Sequence, residues 1–450
     1  MSQRNKRPAR LVGLTGLVAS ALVLSACGAG GRDDGDGDGD GGDAGGGASD
    51  VGVTEDSVTV GGHFPLTGVA APGYNEIPTG AQAYFDYVNA QGGIHGRQIE
   101  YVVKDDGYNP TNTSKVTNEL VLQDEIFAMV GGLGTPTHSA VIDFLNAEGV
   151  PDLFVSSGSL AWGDDPATNP MTFGWQPDYE SEGKIIGQYV AENMPDAKVG
   201  LFLQDDDLGE DAEKGVRQFL DKQIVAVERY TSGNTDVGPQ IAGLQGAKAD
   251  LVLSFNTPSY TALAQLVAMK LGYDPKWYVA NIGADPALVS SLLASFSEGA
   301  VDGAGALDGV MTSEYIPGVD QPEDPWVELW QKVWDAHGKK GELTNYRIYG
   351  MSHAYAFVQA LQAAGEDLTR EGLIEVLEEN GPDMVGPQLA PFRFSADNHM
   401  GISGMRLVEL KGTESTPLTP VLTTDLGDAE IVEDTSEQAE DAPPASGIPE

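Results

Sequence analysis

The stretch IFAMVGGLGTPTHSAVIDFLNAEGVPDLFV, residues 126–155, decides the fold of this chain. Its apolar run at 126–130 predicts a strand, residues 139–147 have the periodicity of a helix, and 153–155 predict a second strand. Strand, helix and strand in this order predict a crossover between parallel neighbours of one sheet. The same alternation precedes the stretch, with strands predicted at 58–64 and 98–103 and helices at 80–90 and 113–123.

A second alternating run follows, from a helix at 180–192 to a strand at 300–304. We therefore predict an α/β protein with two doubly wound parallel-sheet lobes and a ligand cleft between them, because parallel strands form open crevices at their carboxyl ends. Later helices carry apolar faces, and a strand at 404–410 closes the fold. The predicted segments are lobe 1 at 53–176, lobe 2 at 177–305, a return to lobe 1 at 306–395 and a closing strand of lobe 2 at 396–412.

The composition and the missing motifs argue against several classes of function. The 450 residues contain 25 Lys and Arg against 68 Asp and Glu, a net charge of −43, which argues against binding to nucleic acid. The sequence lacks the nucleophile-elbow, zinc-protease and phosphate-loop motifs, and its six histidines have no metal-ligand spacing. Paired acids at 105–106 and 205–207 suit acid–base chemistry, but at this acid density they are better explained as solvated loop residues. We predict no enzyme activity, no metal and no cofactor.

Both ends of the chain have the composition of non-globular segments. Residues 1–26 combine a basic start with a short apolar run, as export signals do, and the sequence Leu-Ser-Ala-Cys ending at Cys27 resembles the bacterial lipobox. Cys27 is the only cysteine and is the predicted site of lipidation; the alternative is an ordinary secretory signal with a chance cysteine. Residues 27–52, rich in Gly and Asp, predict a tether, and the acidic residues 413–450 predict a disordered tail.

Small polar residues follow several predicted strands. Residues 131–139 (GGLGTPTHS) and 156–159 (SSGS) do so in lobe 1, and 256–259 (NTPS) and 281–283 (NIG) in lobe 2. Such turns direct backbone N–H groups and hydroxyls at the cleft, where they suit a carboxylate. Ordinary turns need the same residue types, so each turn alone is ambiguous. Two of them on consecutive strands favour a ligand site.

Three further stretches resemble one family of binding proteins. Residues 80–97 (GAQAYFDYVNAQGGIHGR), 150–159 (VPDLFVSSGS) and 174–183 (GWQPDYESEG) are similar to the solute-binding receptors of ABC importers, of the leucine/isoleucine/valine-binding type. The resemblance covers about residues 58–410. It implies the type I periplasmic binding protein fold.

In the amino-acid receptors of that family, hydroxyl residues of lobe 1 hold the ligand carboxylate, while a tyrosine and a glutamate of lobe 2 hold its ammonium. The resemblance implies that Thr135, Ser157 and Ser159 retain the first role. Thr257 and Asn281 stand at the ammonium positions, and Leu208 replaces a further cleft tyrosine. An ammonium group therefore lacks its counter-charge there, unless Asp206, Asp207 or Asp285 supplies it. Tyr74 and Trp162 are further candidates for the pocket wall, with plain packing as their alternative.

The resemblance therefore implies a substrate-binding subunit that captures a small carboxylate-bearing solute. Its expected partners are an ABC permease with its ATPase subunits, and the membrane through the lipid anchor only. Its expected location is the extracytoplasmic face of the cell membrane. The alternative is a ligand-sensing receptor for amides or small acids without a transport role.

Overall fold

The computed structural model describes residues 50–301, 303, 305–436, 438 and 441–449. The predicted signal peptide, Cys27 and most of the predicted tether lie outside these residues. Residues 50–52, assigned to the tether from the sequence, belong to the fold. The carbonyl of Gly52 accepts a hydrogen bond from Thr59 N (2.8 Å), and the carboxylate of Asp50 accepts one from Arg370 N (3.2 Å).

Lobe 1 is built on the first five strands, which alternate with helices. Its elements are β1 (Ser57–Phe64), α1 (Ala71–Tyr74), α2 (Ile77–Asn89), β2 (Gln98–Asp105), α3 (Pro110–Leu122), β3 (Ala128–Val130), α4 (Thr135–His138), α5 (Ile142–Ala147), β4 (Asp152–Val155) and β5 (Thr172–Gly174). The strands form one parallel sheet in the order β2-β1-β3-β4-β5. This order has its switch point between β1 and β3, so the loops after these strands open at one edge of the sheet.

Lobe 2 continues the alternation. Its elements are α6 (Tyr179–Asn193), β6 (Val199–Gln204), α7 (Asp207–Leu220), β7 (Ile224–Tyr230), α8 (Gly238–Gly246), β8 (Leu251–Phe255), α9 (Pro258–Leu271), β9 (Lys276–Val279), α10 (Pro286–Phe296) and β10 (Met311–Glu314). Strands β7, β6, β8, β9 and β10 are parallel neighbours in that order.

The rest of the chain contributes to both lobes. It forms α11 (Pro325–His337), α12 (Asn345–Ala364), α13 (Arg370–Asn380), β11 (Gly404–Lys411), β12 (Glu414–Pro417), β13 (Leu422–Thr423) and β14 (Val432–Glu433). Helices α11 and α12 pack against α2 of lobe 1. Their predicted apolar faces are buried, including Trp330 and Ile348. Strand β11 returns to lobe 2 and pairs antiparallel with β10, so the second sheet is mixed rather than wholly parallel.

The structure corrects two boundaries. The strand predicted at 300–304 is wrong: its described residues 300, 301 and 303 lie in a loop. Gly303 has a φ of +74°, a left-handed conformation that interrupts an extended strand. The sheet position next to β9 belongs instead to β10, which pairs Met311 with Tyr278. Residues 311–314 therefore belong to lobe 2, although the sequence assigned 306–395 to lobe 1.

The prediction of a disordered tail at 413–450 is also wrong for the described residues. Strands β12, β13 and β14 extend the second sheet, and the chain then reaches lobe 1, where the Tyr84 hydroxyl donates to the carbonyl of Gly447 (2.9 Å). Short apolar groups anchor this tail to the core, and the acidic average composition conceals them. Those packed against the core are Leu418, Val421, Leu422, Ile431 and Ile448. In the described residues, no helix is both long and apolar enough to span a membrane.

Candidate functional site

A cavity of about 170 Å³ lies between the two lobes. Its lobe 1 wall comes from α1, α12 and the loops that follow β3 and β4, and its lobe 2 wall from the loops that follow β8, β9 and β10. The site therefore lies where the carboxyl ends of the two sheets face each other, the usual ligand position in open α/β folds.

The lobe 1 wall contains a cluster of hydroxyl groups. Thr135 Oγ1 and Ser157 Oγ are 2.8 Å apart, and both side chains are buried. The Tyr179 ring also lines the cavity. Burial raises the pKa of Tyr179 to about 12, and hydrogen bonds with the backbone of Gly158 and the side chains of Ser157 and Thr135 oppose that rise. The cluster remains neutral at physiological pH and offers O–H donors to an anionic group.

The lobe 2 wall contains hydroxyl groups that lack protein partners. Within the described residues, the buried side-chain oxygens of Thr257 and Thr312 have no hydrogen-bond partner. Both residues line the cavity. Buried polar atoms are nearly always satisfied in native proteins, so these two hydroxyls indicate where a ligand or water molecule binds.

A buried carboxylate supports the lobe 2 wall from behind. Glu182 Oε1 accepts hydrogen bonds from the Tyr278 hydroxyl (2.7 Å), Ser313 Oγ (2.6 Å) and the backbone N–H of Asn281 (3.0 Å). Burial raises the pKa of Glu182, and these three hydrogen bonds oppose that rise. The Asn281 amide nitrogen donates to the Ser313 carbonyl (2.8 Å), which fixes the orientation of the side chain at the cavity.

Three acids and no Lys, Arg or His line the described part of the cavity. Glu314 is paired with Arg406 at 3.0 Å, and Asp320 accepts hydrogen bonds from Ser415 N and Oγ. Asp285 accepts from Leu288 N (2.7 Å) and from Asn345 Nδ2 (2.9 Å), and burial raises its pKa.

Several hydrogen bonds connect the lobes around the cavity. The Tyr74 hydroxyl donates to the carbonyl of Ile282 (3.1 Å), and Ser259 Oγ donates to the carbonyl of Val69 (2.7 Å). The Asn345–Asp285 bond also joins lobe 1 to lobe 2. At the far side, Asp211 Oδ2 accepts from Leu160 N (3.0 Å). The structure is therefore a closed form, in which both lobes contact each other at the rim of the cleft.

A model of the family described as Periplasmic binding protein matches residues 57–415. The chain belongs to this family. A Leu/Ile/Val-binding protein homolog 1 of Brucella suis is 25% identical over 338 residues, 72% of this chain and 83% of that protein. An amino acid binding protein of Pseudomonas aeruginosa is 25% identical over 206 residues, 43% of this chain; the match spans about half of that relative, 52%.

Solved structures show the same fold. The fatty acid ABC transporter substrate-binding protein from Thermomonospora curvata superposes with a TM-score of 0.72 at 22% sequence identity, over 85% of this chain and 96% of that one. The type I periplasmic binding protein fold implied by the sequence resemblance is therefore confirmed. The ligand classes named for these proteins differ, so the fold alone does not select the ligand.

Five of the residues predicted from the sequence line the cavity of this periplasmic binding protein. They are Tyr74, Thr135, Leu208, Thr257 and Asn281. Ser157 lies directly behind Thr135 and bonds to it. Of the three aspartates considered as a counter-charge, Asp285 lines the cavity, whereas Asp206 and Asp207 do not.

Two predicted site residues lie elsewhere. Ser159 caps a short 3₁₀ helix at Leu160–Trp162, where its Oγ accepts from Ala161 N at 3.3 Å, so its hydroxyl is engaged locally. Trp162 is buried beside His138, with ring centroids 4.9 Å apart, and it packs in an apolar cluster with Ile142 rather than at the cavity. Its large apolar surface explains this position.

Tyr179, Glu182 and Thr312 are not among the site residues predicted from the sequence. Tyr179 and Glu182 occupy the first turn of α6, immediately after the chain crosses into lobe 2. Both stand in the stretch 174–183 that carried part of the family resemblance. The resemblance of that stretch to the family was the feature of the sequence that could have identified these two residues. Thr312 lies on β10, a strand that the sequence analysis did not predict.

Proposed function

We propose that this periplasmic binding protein is the lipid-anchored substrate-binding subunit of an ABC importer. It captures a small, carboxylate-bearing organic solute between its lobes and delivers it to a membrane permease on the extracytoplasmic face. The observation that supports the carboxylate most directly is the neutral hydroxyl cluster of Thr135, Ser157 and Tyr179 at the cavity. Hydrogen bonds to an ionised acceptor are stronger than those between neutral groups.

The carboxylate assignment is tested by removing one hydroxyl. Thr135→Val keeps the side-chain shape but removes its donor, and a hydrogen bond to a charged group contributes about 1.5–3 kcal/mol. The affinity for the solute should fall about tenfold to a hundredfold. Thr416→Val, an exposed position on β12, is the matched control. Unchanged affinity in a correctly folded Thr135→Val protein would remove Thr135 from the site.

The solute itself is found by mass spectrometry of what the purified protein releases on denaturation. The expected compound has a carboxylate and no ammonium group that requires a buried anion, such as a keto, aromatic or aliphatic acid. Thr257 and Asn281 support this because both are neutral, and the Asn281 amide is already bonded to Ser313. A buried ammonium without a counter-charge costs several kcal/mol.

Calorimetric titration with leucine, isoleucine and valine tests this restriction. Weak or absent binding is expected for all three. Sub-micromolar leucine binding would contradict it and would point to one of the three cavity acids as the counter-charge, with Asp285 the first to test because it has no cationic partner among the described residues. If Asp285 is the counter-charge, Asp285→Asn would abolish that binding.

The lipid anchor is tested separately at Cys27. The motif that ends at this residue supports cleavage before it and attachment of lipid to its sulfur. Cys27→Ala should release the protein from membranes or leave its signal uncleaved. A cleaved variant that still fractionates with membranes would contradict the anchor.

A further inference from the structure

Four ionisable side chains form a continuous, fully buried hydrogen-bond chain in lobe 1, outside the cavity lining. Asp106 Oδ2 lies 2.9 Å from His63 Nδ1, His63 Nε2 lies 3.0 Å from His138 Nδ1, and His138 Nε2 lies 2.7 Å from Asp152 Oδ2. All four residues are at most 1% exposed. The chain links the end of β1, the loop after β2, helix α4 and strand β4.

The three contacts determine how many protons the two rings hold. Each contact requires one proton between its two atoms, and an ionised carboxylate supplies none. Asp106 also accepts from Tyr108 N (2.8 Å) and Thr113 Oγ1 (3.1 Å), so its oxygens act as acceptors. The carboxylate of Asp152 likewise accepts from Thr172 Oγ1 (3.0 Å). The two rings must therefore carry three protons on their four nitrogens.

Of the two rings, His63 is the one that burial keeps neutral. Burial lowers the pKa of His63, and the hydrogen bond and charge of Asp106 only partly oppose that effect; the other charges acting on this ring are His138 and Asp152. His63 is therefore the neutral ring, with its proton on Nδ1 facing Asp106. Its Nε2 is then an acceptor, and His138 donates from both nitrogens, to His63 and to Asp152.

The ring pair lies directly under the turn that carries Thr135. A Cβ at Gly132 would stand 2.8 Å from both His63 Nε2 and His138 Nδ1, so the turn rests on the atoms that share the proton. On the other face, a Cβ at Gly131 would stand 2.7 Å from the ring of His353. Thr135 and His138 are also the first and last residues of α4. The position of Thr135 at the cavity thus depends on how the two rings are held.

We infer that His138 donates from both of its ring nitrogens, and that its N–H···N bond to His63 positions the turn at 131–135. His63 and His138 are positioning residues, because neither lines the cavity. The effect of the turn on ligand binding rests on the proposed function, whereas the hydrogen bond itself does not.

The ring protons are counted directly by NMR of the full chain labelled with ¹⁵N-histidine, without any ligand. At pH 7 the two rings should show three N–H protons between them. Two ring protons at pH 7, one on each ring, would overturn the inference.

Hydrogen exchange tests the second part. His63→Phe keeps a planar ring but removes the acceptor of the N–H···N bond, so protection of amides in 131–139 should fall about tenfold in this variant, the size expected for loss of one hydrogen bond. The turn at 256–261 in lobe 2 is the internal control and should keep its protection. An equal change in both turns would show that the histidine pair does not position the lobe 1 turn. Neither measurement uses the solute, so failure here is distinct from failure of the proposed function.

Discussion

The two lobes present the same kind of sheet edge to one cavity but support it in different ways. Under the lobe 1 edge lies a chain of four ionisable side chains, from Asp106 to Asp152, held together by three hydrogen bonds. Under the lobe 2 edge lies one carboxylate, that of Glu182, and a single oxygen of it accepts three hydrogen bonds.

The cavity-facing groups differ accordingly. In lobe 1, the side chains of Thr135 and Ser157 are hydrogen-bonded to each other, so both are held in place without a ligand. In lobe 2, the Thr257 and Thr312 hydroxyls find no partner among the described residues. Preorganised donors lose little entropy on binding, whereas unsatisfied ones gain most from a ligand. Under the proposed function, lobe 1 therefore fixes the orientation of the solute, and lobe 2 gains its hydrogen bonds when the cleft closes.

The largest effect is expected from breaking the lobe 1 support. Asp152→Ala leaves a buried imidazolium without its counter-charge, and breaking a buried pair in this way costs about 3–5 kcal/mol. The free energy of unfolding, measured by urea denaturation, should fall by that amount. Asp221→Ala is the control, because Asp221 pairs with Arg217 at the surface, where such pairs contribute about 0–1 kcal/mol. Equal losses in both variants would show that the buried chain does not stabilise lobe 1.

Breaking the lobe 2 support should cost less. Glu182→Ala leaves the donors of Tyr278, Ser313 and Asn281 unsatisfied, but it also removes a carboxylate whose own burial is unfavourable, as its raised pKa shows. We expect a loss of about 2–3 kcal/mol in the free energy of unfolding. Glu182→Gln, which keeps an acceptor oxygen, should lose about 1 kcal/mol. A Glu182→Ala loss larger than that of Asp152→Ala would reverse the comparison between the lobes.

Much of the fold was predictable from the sequence, because buried parallel strands and amphipathic helices have different periods. Thr135, Thr257 and Asn281 were predictable as candidate site residues because they lie in or next to the turns that follow strands, and parallel strands end at the same edge. Glu182 was not, because it reaches β9 and β10 from a helix that begins after the chain crosses between lobes. That contact depends on tertiary packing.

The failed predictions have similar causes. The local sequence does not distinguish a tryptophan in a buried 3₁₀ turn from one in a pocket wall, so the position of Trp162 could not be predicted. Ser159 follows a strand as the cavity-lining Thr257 and Asn281 do, but its hydroxyl caps the next turn. The tail is acidic on average, and only packing reveals that residues such as Ile431 and Ile448 reach the core.

The carboxyl group of Asp211, which joins lobe 2 to lobe 1, makes the stability of the protein depend on pH. Burial raises the pKa of Asp211 to about 7, and its carboxylate faces Leu160 N across the cleft. Because the pKa of Asp211 is higher in the folded state than in the unfolded state, the folded protein binds this proton more tightly. The resulting contribution to the free energy of unfolding is greatest at low pH and is lost as the pH rises toward 7. Thermal unfolding should show a loss of about 1–2 kcal/mol between pH 5 and pH 8 that Asp211→Asn removes. The same loss in that variant would assign the effect to other acids.

The smallest effect is expected where the lobes meet at Tyr74. Tyr74→Phe removes the hydrogen bond from its hydroxyl to the carbonyl of Ile282 while keeping the ring at the cavity wall. A hydrogen bond of this kind contributes about 0.5–1.5 kcal/mol, and it forms only when the cleft is closed. The affinity for the solute that the protein releases should therefore fall about twofold to tenfold in calorimetric titration.

Tyr87→Phe is the matched control for this closure contact. It also removes a hydrogen bond from a tyrosine hydroxyl to a backbone carbonyl, that of Ser446 (2.7 Å), but Tyr87 lies on α2 outside the cavity lining. Its affinity for the solute should be unchanged, although its stability should fall by a similar small amount. If both variants lose affinity equally, the Tyr74 bond has no particular role in closure. That result would contradict the proposed difference between a preorganised lobe 1 and a lobe 2 that forms its contacts on closure.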